Sequence, residues 1–264
     1  MHYVSAGPED GPPVILLHGF PEFWYSWRFQ IPALARAGYR VISPDQRGYN
    51  LSDKQGPYNA STLVRDIVHL QDALGLSSSH VVGYDWGGAI AWSFAAAQPG
   101  RTQRLVTMNA PHINAYQDAL VRHPRQILKS YYIALFQVPR LPEWAIRQND
   151  YALLERAFQP VSPERMTQRD IALYKEACAQ PGALEAMIGW YRAINRSRKA
   201  VLNIDRPSCV IWGERDAFLE KGCNETLGSY VPDLSVHYLP RASHWVQMDL
   251  PDEVNRIMLD FLDG

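Results

Sequence analysis

The sequence has little of what several function classes require. Its 264 residues hold only three cysteines, Cys178, Cys209 and Cys223. They are widely spaced and odd in number, with no CxxC pair, so they read as reduced residues rather than a disulfide framework. Neither sign of charge dominates. The formal net charge of -1 gives no electrostatic reason to expect nucleic acid or a membrane surface as a partner. The apolar stretch Ala89 to Ala97 is far too short to cross a bilayer. Met1-His2-Tyr3-Val4 lacks the charged start and apolar core of a signal peptide, so the expected location is the cytoplasm. Eight histidines form no HExxH and no clustered Cys/His spacing, which speaks against a metal. There is no Walker loop and no G-x-G-x-x-G, and no cofactor is expected.

What is present is apolar and periodic. At 47% hydrophobic, the chain can bury a large core as one domain or one domain with an insertion. His2 to Ala6 reads as a strand. The run Val14-Ile15-Leu16-Leu17 reads as a strand buried on both faces of a parallel sheet. A helix is expected from about Trp24 to Ala37, with Gly38 as its C-cap. Arg40 to Ser43 reads as the next strand, and Leu63, Ile67, Leu70 and Leu74 mark a helix over 61–74. Val81-Val82 and Leu105 to Met108 are two more buried strands. Alternation of this kind predicts a doubly wound, mostly parallel α/β sheet. From Pro111 strand signals vanish, and helices are expected near 125–136, 149–159, 163–178 and 183–195, separated by prolines and Gly182. The α/β pattern resumes with Cys209 to Trp212, Val236 to Leu239 and a last helix carrying Val254, Ile257, Met258, Phe261 and Leu262 on one face. The expected organisation is therefore a core of residues 1–110 and 204–264 with a helical cap inserted at 111–203.

Gly83-Tyr84-Asp85-Trp86-Gly87-Gly88 lies between a predicted strand and a predicted helix. It has the shape of a nucleophile elbow with aspartate where serine is usual. Aspartate at such a place is also a common helix N-cap, so the string needs support from elsewhere. Two segments nearer the C-terminus supply it. Trp212-Gly213-Glu214-Arg215-Asp216 sets an acid just past a strand, and Ala242-Ser243-His244-Trp245 sets a histidine just before the last helix. Nucleophile, acid, histidine is the order such a triad takes in the chain. Asp216 is the favoured acid and Glu214 the runner-up. Asn109 ends another strand where an acid can stand, but an amide cannot serve.

These motifs resemble those of the α/β-hydrolase-fold epoxide hydrolases along nearly the whole chain. His18-Gly19-Phe20-Pro21 resembles the family's HGxP loop, and Asp45 to Asn50 its DxRGxx loop. The cap patterns are more specific: Tyr132 stands four residues before Phe136-Gln137, and Trp190-Tyr191-Arg192 comes later in the cap. The resemblance implies Asp85 as nucleophile and His244 with Asp216 as the water-activating pair. It implies Tyr132 and Tyr191 as donors to the epoxide oxygen, with Tyr131 the alternative to Tyr132. The backbone N–H groups of Phe20 and Trp86 would form the oxyanion hole, and Trp24, Trp27, Phe136 and Trp190 would line the pocket. The implied partner is a small-molecule epoxide, with the protein a monomer or homodimer.

The chemistry agrees. A carboxylate is ionised at neutral pH and needs no base for its first attack, whereas the alkoxide of an opened epoxide needs acidic O–H donors. A haloalkane dehalogenase would instead need N–H donors for a halide, and Phe20 supplies none from its side chain. A non-catalytic ligand-binding protein of the same fold would have no need of Asp85, Asp216 and His244 together. His18 and His112 are expected to brace their loops, Asp45 and Arg47 to pair, and Arg192, Arg196, Arg198 and Lys199 to form a solvated helix end. Three departures from the family pattern stand out: the sequence begins where relatives usually have a further N-terminal strand, Tyr84 replaces a frequent histidine, and Arg140 replaces a common glycine.

Overall fold

The computed structural model describes residues 1–194 and 203–264. The apolar runs become the interior of a seven-stranded sheet. β1 (Tyr3–Ala6), β2 (Pro13–Leu17), β3 (Arg40–Pro44), β4 (Ser79–Tyr84), β5 (Thr102–Met108), β6 (Ser208–Gly213) and β7 (Leu234–Leu239) lie in the order β1-β3-β2-β4-β5-β6-β7. β1 is antiparallel to β3 and every other pairing is parallel. Every residue of β4 and β6 is buried, as a sheet covered on both faces requires. The helices pack in two pairs, α1 (Gln30–Arg36) with α11 (Pro251–Asp263) and α2 (Ala60–Ala73) with α3 (Trp86–Ala97). The chain steps from β2 outward to β3, then returns to the other side of β2 as β4. That reversal opens a crevice beyond the C-terminal ends of β2 and β4, where ligands bind in open α/β sheets.

Between β5 and β6 the described residues form only helices: α4 (Ile113–Arg122), α5 (Pro124–Lys129), α6 (Tyr131–Leu135), α7 (Leu141–Ala157), α8 (Gln168–Ala179) and α9 (Ala183–Ala193). α8 starts at Gln168 rather than near 163, at a capping box in which Thr167 and Asp170 satisfy each other's backbone N–H. α7 is interrupted at Gln148–Tyr151, where Asn149, Asp150 and Tyr151 all have positive φ. Among the described residues, no helix is long and apolar enough to cross a membrane. α10 (Val246–Asp249) completes the α-helices among the described residues.

The expected helix from Trp24 to Ala37 is two pieces, a 3₁₀ turn at Trp24–Trp27 and α1. Pro32 explains the break: it has no N–H for a helix running through it, but it is tolerated in the first turn of α1. Gly38 does end α1, with φ 93° and the Tyr39 N–H donating to the Leu34 carbonyl.

Asp45 and Arg47 do not pair. Arg47 forms a two-pronged ion pair with Asp66 at 2.6 Å per contact. Asp45 instead ties together His2, the Trp24 N–H and Asn50. Arg192 is no solvated helix end either: it grips Glu143 with two nitrogens and donates to the carbonyls of Phe136 and Val138. Arg196, Arg198 and Lys199 lie outside the described residues.

Candidate active site

Asp85 sits at the tip of the turn from β4 into α3 with φ 50° and ψ -120°. A non-glycine residue is held there at a cost of about 1–3 kcal/mol, which the surrounding packing must sustain. Gly87 makes the sharp turn possible, because a Cβ on it would lie 2.1 Å from the Leu17 carbonyl oxygen. The turn therefore packs directly against the end of β2. There the Phe20 N–H reaches Asp85 Oδ1 at 2.7 Å. Trp86 opens α3, so its N–H is one of the first four that have no acceptor within the helix.

The loop that carries Phe20 is rigidly held. The Gln46 N–H donates to His18 Nε2, so Nδ1 carries the proton and donates to the Gly19 carbonyl. Burial keeps His18 below its ordinary pKa, consistent with this neutral form. His112 stacks on Tyr230 and meets Trp92 edge-on.

His244 lies between the two aspartates. Its Nδ1 is 2.6 Å from Asp216 Oδ2 and its Nε2 is 3.5 Å from Asp85 Oδ2. Burial opposes the imidazolium, but Asp216 and Asp85 outweigh it and raise the His244 pKa to about 10. Burial would likewise raise Asp216, yet His244, Asn109 and the Phe218 N–H hold it below the usual carboxylate range. Glu214 points elsewhere and pairs with Lys221.

Above Asp85, aromatic rings from α6 and α9 converge. The Tyr191 ring lies 5.0 Å from Trp86, 5.2 Å from Phe20, 4.8 Å from Phe136 and 5.9 Å from Tyr132. Burial and the charge of Asp85 keep both tyrosines well above the ordinary phenol pKa, so both remain O–H donors. Tyr131, its neighbour, is 70% exposed and turned away. The other pocket candidates lie further out. Trp27 is wholly buried core, and Trp190 is buried with its indole N–H on the Arg47 carbonyl and its ring 5.6 Å from Trp86. Trp24 packs on Phe23 and Tyr25.

Three residues join the site without having been singled out for it. Asn109 (φ 39°) donates to Asp216 Oδ2 at 2.6 Å and accepts from the Gly213 N–H, fixing the acid loop against β5. Phe218 donates its N–H to Asp216 Oδ1, and its ring bridges Tyr132 and His244. Glu22 is fully buried, with no partner for either carboxyl oxygen among the described residues. Burial and the nearby Asp85 charge raise its pKa well above the carboxylate range. Its place one residue after Pro21 was the only available signal. From the helical segment, Gln126 bonds the Phe218 carbonyl and the Glu220 N–H, while Lys129 bonds the Asp216 carbonyl. These contacts tether α5, and so α6, to the acid loop.

Comparison with known proteins identifies the family. Residues 12–251 match the family model described as the alpha/beta hydrolase fold. The AB hydrolase superfamily protein YfhM of Bacillus subtilis (strain 168) is 42% identical, the match covering 99% of this chain and 94% of that protein. Epoxide hydrolase 4 of Homo sapiens is 39% identical over 99% of this chain and 75% of its own length. Among solved structures, a Bacillus megaterium epoxide hydrolase in complex with an inhibitor superposes with a TM-score of 0.89 at 31% identity, covering 100% of this chain and 96% of that one. The chain belongs to the α/β-hydrolase-fold family and, within it, to the epoxide hydrolases.

Proposed function

We propose that this protein converts an epoxide and water into a vicinal diol through an ester on Asp85. Residues 111–203 act as the cap, and residues 1–110 and 204–264 as the catalytic core. The observation that carries the reading is the division of labour within one carboxylate. Oδ1 is held by the Phe20 N–H at 2.7 Å, while Oδ2 stands 3.5 Å from His244 and remains available. Oδ2 attacks an epoxide carbon, and the bond from that carbon to the ring oxygen breaks. Tyr132 and Tyr191 donate to that oxygen, and the phenol that gives up its proton regains one from the imidazolium of His244. The enzyme then holds a neutral ester and a neutral His244.

His244 next takes a proton from water, whose oxygen attacks the Asp85 carboxyl carbon. The oxyanion develops on Oδ1, where the Phe20 N–H already lies and the Trp86 N–H can join it. Collapse expels the diol oxygen, which takes the proton of the regenerated carboxyl group. Asp85 is again a carboxylate and His244 again an imidazolium, so atoms and protons balance over the cycle.

His244→Gln should open one epoxide and stop. Intact-protein mass after incubation with styrene oxide is expected to show one adduct that maps to Asp85. Steady diol release without an adduct would refute the ester. Diol from styrene oxide with no halide from a chloroalkane is the result expected of the wild type.

A further inference from the structure

The net charge of -1 conceals a separation along the chain. Residues 121–147 carry five cationic side chains, Arg122, Arg125, Lys129, Arg140 and Arg147, against the single carboxylate of Glu143. Glu143 is itself buried and held by Arg192. Lys129 is committed to Glu220 and Arg147 to Glu185. Arg122, Arg125 and Arg140 are exposed and make no ion pair among the described residues.

The same segment exposes large apolar side chains at helical spacing. Leu128 (74% exposed), Tyr131 (70%), Leu135 and Val138 are exposed at intervals of three, four and three from α5 through α6 to the turn just beyond it. Leu141 and Trp144 (60% exposed) continue the surface on the first turn of α7. Arg192 binds Val138, Phe136 and Glu143 at once, which keeps the end of α6 beside the start of α7. Single exposed apolar residues need no explanation, but a run of them interleaved with arginines that make no ion pair among the described residues does.

We infer that this face docks on the surface of an anionic lipid bilayer. Charge selects that occupant. A second copy, meeting this face with its own, would bring two cationic patches together, whereas an anionic lipid surface complements the arginines and accepts the apolar side chains between them. The opposite side of α5–α6 carries Tyr132 and Phe136, which face the candidate site. One helix diameter, about 10 Å, therefore separates lipid from the reacting centre. The site's aromatic lining suits apolar epoxides, which themselves partition into lipid. This coupling to substrate supply rests on the epoxide hydrolase reading; the docking itself does not.

The test is flotation of the purified protein with vesicles of phosphatidylcholine alone or with one third phosphatidylglycerol. Binding is expected only to the anionic vesicles, and it should weaken steeply as salt shortens the screening length. Arg125→Gln should lower the partition coefficient about fivefold, the effect of one cation near the surface. Leu128→Ser with Trp144→Ser should lower it further while leaving hydrolysis of a water-soluble epoxide unchanged. Absence of binding to anionic vesicles at low salt, or binding that the double variant leaves intact, overturns the inference. A concentration-dependent dimer abolished by the double variant, without vesicle binding, would assign the face to a second copy. Because flotation does not read catalysis, the docking stands or falls independently of the proposed reaction.

Discussion

Asp216 accepts from Asn109 and His244 on one oxygen and from the Phe218 and Leu219 N–H groups on the other. Its lone pairs are spent and it cannot attack. Asp85 has one oxygen bound to a single N–H and the other open, so it can. The two carboxylates also share responsibility for the His244 pKa of about 10. Ester formation removes one of the two charges, and the imidazole becomes a usable base only then. Asp85→Asn mimics that neutral state. It should lower the His244 pKa by about 1–3 units, the usual effect of losing an adjacent opposite charge. Imidazole nitrogen shifts in a pH titration would measure it, and an unchanged pKa would show that Asp216 alone sets the value. The order of Asp85, Asp216 and His244 was legible because each follows a strand. Asn109 was legible only as an acid that was missing. Its role depends on a contact across 107 residues of sequence, and no local pattern announces that.

At the level of elements, the sheet could be read because strands buried on both faces must be continuously apolar, as Val14–Leu17 is. The helices between β5 and β6 were less legible. α4 was missed, and the stretch expected as one helix over 125–136 is α5 and α6, divided at Ser130. Such short helices bury only part of each turn, so their apolar spacing is diluted by exposed residues like Leu128 and Tyr131. Arg140 shows what the family pattern encodes. It precedes α7 with φ 63°, a left-handed conformation that glycine adopts without strain. Arg140→Gly should stabilise the protein by about 1 kcal/mol, the left-handed penalty less part of glycine's greater freedom when unfolded. For a chain of this size that is a rise of about 2 °C in Tm by calorimetry. A fall in Tm would mean that the arginine side chain contributes more than its backbone conformation costs.

Over the whole molecule, buried titratable groups make stability depend on pH with a definite sign. His244 is protonated in the folded protein up to about pH 10, whereas in the unfolded chain it loses its proton near 6.5. Its contribution is fully present below pH 6.5. Between the two values the unfolded state binds one proton fewer, so stability falls by about 1.4 kcal/mol per pH unit. The cysteines act in the same direction but later. Burial raises Cys178 and Cys223 to about 12 and Cys209 to about 11, so above about pH 8.5 only the unfolded chain releases their protons. His80, lowered to about 4 by burial, acts in the opposite direction, but its effect is complete by about pH 7.5. Glu22, raised well above the carboxylate range by burial, acts in the same direction as His244 but is present in both wild type and His244→Gln, so the difference in slope between the two proteins from about pH 7.5 to 8.5 reports on His244. Urea unfolding of the wild type should lose about 1 kcal/mol more across that interval than His244→Gln, which has no imidazole proton to release. Equal slopes in the two proteins would mean that His244 is neutral at rest. The proton for the opened epoxide would then have to come from the solvent rather than from the imidazolium.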